Sequence, residues 1–196
     1  MTSAIPVHFP NLYPQFECNN YYAGDGGDRI GLTQEEKTLL GLRGIKSMWV
    51  HPDTYHSLLY VREEIRKHGF DIIVRDGLRT KRLYCAIAKH RRERGLRVEG
   101  LINLKNMPHA TGLAVDVSLV TYDEARTLTW IRFQSDGDQA EKFGFYANCR
   151  DKQRRQFHRL QKMLLSAFEK FGYELGVLRE CWHFQRKGIN ANTPRY

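Results

Sequence analysis

The chain has 196 residues, of which 41% are apolar and 27% charged; this suits a globular fold with a sizeable core and excludes a disordered or fibrous protein. The longest apolar run, Leu83 to Ala88, is six residues, far short of the roughly 20 that cross a bilayer as a helix. Lysine and arginine exceed the acidic residues by 31 − 22 = 9, a balance that attracts acidic polymers, membrane faces or nucleic acid. No nucleic-acid module accompanies the charge, so nucleic acid is the least expected of these partners.

Residues 1–30 are rich in turn formers and aromatics and read as a mostly irregular wrap on a domain spanning 31–196. The first residues lack the basic start and apolar stretch of a secretory signal. That places the protein in the cytoplasm, with a periplasmic or exported location as the alternative. Thr33 and Glu36 form a capping box that opens a short helix. A firmer helix is predicted from Asp53 to His68, with Tyr55, Leu58, Leu59 and Ile65 near one face and Gly69 as its stop.

DIIVR (71–75) reads as a buried strand running into an Asp76-Gly77 turn, followed by a helix from Thr80 to Arg94. In GLAVDVSLV (112–120), Leu113, Val115, Val117 and Leu119 face one way, and Ala114, Asp116 and Ser118 the other. A long amphipathic helix from Asp151 to Phe171 is expected to bury Phe157, Leu160, Met163, Leu164 and Phe168. CWHFQ (181–185) is a last short strand. This irregular order of strands and helices predicts an α+β fold, a small mainly antiparallel sheet flanked by helices, in a single domain. The basic stretches KHRRERGLR (89–97) and RDKQRRQFHRLQK (150–162) fall on two of those helices and read as solvated faces. Cys18, Cys85, Cys149 and Cys181 are scattered without a C-x-x-C pair, which argues for free buried thiols over a disulfide framework.

Two segments carry residue types suited to a zinc hydrolase, which needs three protein ligands and an open position. In PHATGLAVDVSL, His109 lies on a loop, Gly112 lets that loop turn tightly, and Asp116 lies on the strand that follows. In RECWHFQ, Glu180 stands three residues before His183. Residues three apart on a strand face opposite ways, so Glu180 must lie at the strand's entry or beside a bulge to share a site with His183. Two imidazoles and a carboxylate suit one Zn2+ ion, and a nearby glutamate that is not a ligand can transfer protons. Arg79, at a strand-to-helix turn, offers a guanidinium for a developing oxyanion or a substrate carboxylate. Taken singly, each residue has a plainer reading: a surface or core histidine, a structural acceptor, a salt-bridge arginine. The other histidines have no comparable partners and read as structural or exposed.

His-x-x-Gly-x-x-x-Asp at 109–116, followed far downstream by Glu-x-x-His at 180–183, resembles the zinc D,D-peptidase family. That family includes D-alanyl-D-alanine dipeptidases, related carboxypeptidases and some phage endolysins. FECNNYYAG (16–24) is similar to a tyrosine-rich stretch near the start of the dipeptidases, RDGLRT (75–80) to their Asp-Gly-Tyr-Arg-Pro segment, and the basic helix before FGYE to theirs. The resemblance implies His109, Asp116 and His183 as ligands of one Zn2+, Glu180 as catalytic base, Arg79 as the arginine that aids the transition state, and Asp76 as a contact for the substrate amine. It implies a D-amino-acid-containing peptide or peptidoglycan fragment as substrate. Met107-Pro108 replaces the expected amine-binding serine, Phe16 stands where a tyrosine is expected, Phe133-Gln134 where Phe-Asp is common, and Cys181 precedes Trp182 in place of tryptophan or proline. These departures leave a dipeptidase, a D,D-carboxypeptidase or endopeptidase acting on the cell wall, and a non-catalytic zinc-binding module as readings. Cys181 as a fourth ligand is the rival to its reading as a buried filler.

Overall fold

A computed structural model describes residues 5–9, 27, 32–39, 48–98, 103–121, 127–128, 142–177, 180–190 and 192–196. The architecture is α+β with a mainly antiparallel sheet, as the order of elements predicts. Its contacts group the chain into two compact units, Met1–Tyr55 with Val74–Val115 and Gly188–Tyr196, and His56–Ile73 with Asp116–Lys187.

In the first unit, β1 (Val7–Phe9) pairs antiparallel with β2 (Met48–Val50), Val7 facing Val50. The strand β1 is the regular part of a stretch expected to be mostly irregular; Phe16, Cys18 and the rest of 10–26 lie outside the described residues. Helix α1 (Gln34–Leu39) follows Thr33, as the capping box predicts. Helix α3 (Lys81–Glu93) is capped by the Thr80 hydroxyl, which accepts from the Leu83 amide. Its apolar face buries Leu83, Tyr84 and Ile87 with Leu32, Met107 and Ala110. Cys85 lies on the exposed face of α3 and Cys149 is half-buried, so among the described thiols only Cys181 is buried as expected.

Helix α2 (Pro52–Arg66) and β3 (Phe70–Asp76) cross the division. Gly69, at φ 79, supplies the left-handed residue that ends the helical turn. In the second unit Arg62 and Arg66 converge on Asp71, whose side chain has no exposure. Removing one partner of such a buried pair strands a charge, at about 3–5 kcal/mol.

The sheet runs β3-β4-β7-β6, with β5 (Thr127–Leu128) on β4. β4 (Ala114–Thr121) pairs antiparallel with β5, and β6 (Tyr173–Leu175) with β7 (His183–Arg186). β4 departs from its two-faced pattern, for Ala114 and Ser118 on the more polar side are as deeply buried as Val115 and Val117. An interior strand has neighbours along both edges and cover on both faces, so its polar residues sit inside the protein. Helix α4 (Lys152–Glu169) is capped by the Asp151 carboxylate, which accepts from the Arg154 amide. It buries Leu164, Ala167 and Phe168, while Phe157, Leu160 and Met163 are half-buried. Phe168 stacks on Phe184 with ring centres 4.1 Å apart, fixing the helix over β7. Among the described residues, no helix is long and apolar enough to cross a membrane.

Candidate metal centre

His109 lies in a 3₁₀ turn, Pro108–Thr111, bracketed by left-handed residues: Met107 at φ 40 and Gly112 at φ 67. Gly112 is needed twice over, for its positive φ and because a Cβ there would lie 2.8 Å from the His51 amide nitrogen. Met107 is not a glycine and precedes a proline, so its conformation stores strain of order 1–3 kcal/mol. Its side chain, buried among Leu83, Tyr84, Ile87 and Ala110, holds it there.

The His109 imidazole is oriented by backbone. Its Nδ1 is 2.8 Å from the Gly77 carbonyl oxygen. A carbonyl only accepts, so Nδ1 carries the proton and Nε2 keeps its lone pair for a ligand. The His109 amide donates to the Tyr84 hydroxyl at 3.3 Å. Gly77 itself lies tight against β2, where a Cβ would sit 2.5 Å from the Trp49 carbonyl oxygen.

Arg79 and Asp76 share this neighbourhood. Both are buried and paired with each other. The Arg79 guanidinium lies over the Tyr84 ring, 4.8 Å from its centroid, and its amide donates to the His109 carbonyl at 3.2 Å. Asp76 Oδ2 is 4.0 Å from His109 Nδ1, while Asp76 Oδ1 is buried with no hydrogen-bond partner.

His183 opens β7, and Asp116 lies on β4. Their side chains meet at 2.8 Å, Nδ1 to Oδ1. The opposite edge of the imidazole lies against Gly176. A Cβ on Gly176 would fall 2.4 Å from Cδ2 and 2.6 Å from Nε2 of His183. With Nε2 walled in, Nδ1 is the ring nitrogen presented toward Asp116. Glu180 is on the turn before the strand, where its amide donates to the Val177 carbonyl and its carbonyl accepts from the His183 amide, each at 3.0 Å. This turn is the strand entry that the spacing required, and β7 accordingly begins at His183, two residues later than the expected strand.

Among the described residues, one group of three or more metal-capable side chains occurs: His109, Asp116 and His183, with ligand atoms all within 4.8 Å of one another. Two donors on one tetrahedral zinc, each about 2.0–2.1 Å from it, stand roughly 3.3 Å apart. The trio therefore fits a zinc ion in donor chemistry, its ligand atoms gathered within 4.8 Å and needing to close toward that separation to hold the ion. Cys181 is a buried thiol and is not in the group, nor are Glu180 and Asp76. The supports at Gly77, Tyr84 and Gly176 escaped the sequence reading; a backbone carbonyl, a helix aromatic and a strand-end glycine carry no signal of their own.

No protein-family model and no curated protein matches the chain. Among solved structures it is similar to a crystal structure of the vancomycin-resistance D,D-pentapeptidase VanY, a mutant from a VanB-type resistance cassette in complex with Zn(II). The TM-score is 0.45 at 16% identity, over 74% of this chain and 76% of that one.

Proposed function

We propose that this chain is a zinc-dependent peptidase that hydrolyses peptides ending in a D-amino acid, D-alanyl-D-alanine or D-alanine-terminated peptidoglycan stems, with its catalytic part in residues 31–196. The observation that carries this is the gathering of His109, Asp116 and His183 within 4.8 Å, residues separated by up to 74 positions (183 − 109) in the sequence. Held by these three, a zinc ion supplies Lewis-acid activation of water and of the scissile carbonyl.

Glu180, fixed by its backbone one turn before His183, takes the proton of the attacking water and returns it to the leaving amine. Arg79, pinned by Asp76 and the Tyr84 ring, sets its guanidinium against negative charge on the carbonyl oxygen or the terminal carboxylate. The unmatched Asp76 Oδ1 is the acceptor for a substrate N–H, a free amine in the dipeptide or a peptide amide in a longer stem.

Within this reading, a longer peptide is favoured over the dipeptide. Met107, in the place of an amine-binding serine, turns its side chain into the core with Leu83 and Ile87, so this position offers packing and no hydroxyl. The test is incubation with D-alanyl-D-alanine and, separately, with a pentapeptide stem, each with and without a chelator. Chelator-sensitive release of D-alanine from the pentapeptide is expected. Cleavage of the dipeptide alone would overturn the substrate choice, and hydrolysis indifferent to the chelator would overturn the zinc mechanism.

A further inference from the structure

Helix α4 carries its charge in a way that works against its own stability. Lys152, Arg155, Arg159 and Lys162 are all exposed. At 3.6 residues per turn they share an arc of about 80° and form one stripe roughly 15 Å long. Successive members are three or four residues apart, the spacing at which like charges repel on a helix. Lys152, Arg154 and Arg155 crowd the first turn, which has no acidic residue, although the helix dipole is positive there. The one carboxylate of the helix, Glu169, is its last residue.

Five other cations of this unit have carboxylate partners. Arg62 and Arg66 meet Asp71, Lys67 and Lys170 meet Glu64, and Arg154 meets Asp151. No described acidic residue pairs with the four of the stripe. A surface that opposes the fold, with no compensating carboxylate among the described residues, is the pattern expected of a functional surface.

The neighbouring residues narrow the partner. The exposed positions of α4 are Lys152, Gln153, Arg155, Gln156, Arg159, Lys162, Ser166 and Glu169. None is apolar, so this face has nothing to insert into a bilayer. None is aromatic, so it has no platform on which a base could stack. A line of cations alone matches a line of anions alone. We infer that the exposed face of α4 docks a linear phosphodiester polymer that lacks bases, gripping it by backbone charge. This surface is independent of the metal centre, and either assignment can fail without the other.

Binding of the full chain to purified poly(glycerol phosphate), followed across a salt series, tests the inference. With four contacts, log K should fall against log salt with a slope of about −3. The variant K152Q/R155Q/R159Q/K162Q should lose most of that slope and at least ~100-fold of the low-salt affinity. It should melt no lower than the parent, since it removes repulsion, and its zinc content should be unchanged. If that variant does not fold, R159Q/K162Q should show about half the slope. No binding at low salt, or equal binding by the glutamine variants, overturns the inference. Tighter binding to duplex DNA or to phosphatidylglycerol vesicles than to the polymer overturns the choice of partner.

Discussion

His109 and His183 are the same side chain mounted by opposite devices. His109 hangs on a turn that needs a left-handed glycine after it, and a neutral backbone carbonyl, Gly77, fixes its ring at 2.8 Å. His183 stands on a strand, faces the carboxylate of Asp116 at 2.8 Å, and is walled behind by a position with no side chain, Gly176. One mount specifies a tautomer through hydrogen bonding, and the other specifies a ring face through steric exclusion. A candidate metal site assembled this way has its rigidity in the backbone on one side and in clearance on the other, so the two halves should fail differently.

The largest expected effect comes from Glu180→Ala. The turn that presents His183 is closed by backbone hydrogen bonds of Glu180, which the substitution keeps, so the His183 mount should survive and zinc should remain at one equivalent. Turnover should fall by about 10²–10⁴, the usual worth of a positioned proton carrier. Metal analysis beside steady-state kinetics separates the two, and unchanged turnover would remove Glu180 from the mechanism.

Gly176→Ala attacks the steric mount. Its Cβ would need the imidazole or the strand to move from a 2.4 Å approach, an overpacking of about 1–3 kcal/mol. Because the displaced group is a candidate ligand, zinc affinity should also drop by about 10–100-fold. Gly188→Ala is the control for a destabilising change that displaces no ring, since its φ of 86 strains alanine while a Cβ there meets nothing within 4 Å. Equal zinc affinity in the two variants would show that Gly176 does not hold the ring.

Tyr84→Phe probes the other mount more gently. It deletes the hydroxyl that accepts from the His109 amide and keeps the ring under Arg79. A loss of about 1 kcal/mol in stability is expected, with zinc affinity changed only a few-fold, because the Gly77 carbonyl still orients the imidazole. A collapse of metal binding would mean that the hydroxyl, and not the carbonyl, sets the ring.

These contrasts also explain what could be read in advance. The helices α2, α3 and α4 were legible from periodicity and caps, with Thr80, Gly69 and Asp151 marking their ends. Gly112 was legible because a tight turn between His109 and Asp116 leaves few alternatives, and its φ of 67 agrees. Asp116 looked like the polar face of a half-exposed strand; that β4 is covered on both sides depends on its neighbours in the sheet. Gly176 was invisible because its meaning is a distance to a ring seven residues later. Tyr84 read as an ordinary core aromatic, and its second task, accepting from an amide 25 positions away, has no periodic signature.

The smallest effect expected concerns acid, and it separates loss of the mounts from loss of the fold. Zinc ligands must be deprotonated, so metal should leave as the pH drops, before the fold itself responds. Part of the fold's own acid response is assigned to Glu64. Hydrogen bonds from Lys170 and Lys67 hold its carboxyl down at about 2, against an ordinary 4.5. A depressed carboxylate stabilises the folded state fully above the unfolded value, and the contribution fades as pH falls from about 4.5 toward 2. Glu64→Gln should therefore flatten the acid limb of stability in that window, by the modest amount expected of an exposed pair, while zinc affinity at neutral pH stays the same. If Glu64→Gln instead weakened zinc at neutral pH, the His183 mount would depend on α2 as well as on Asp116 and Gly176, and the contrast between a backbone-held and a clearance-held histidine would have to be redrawn.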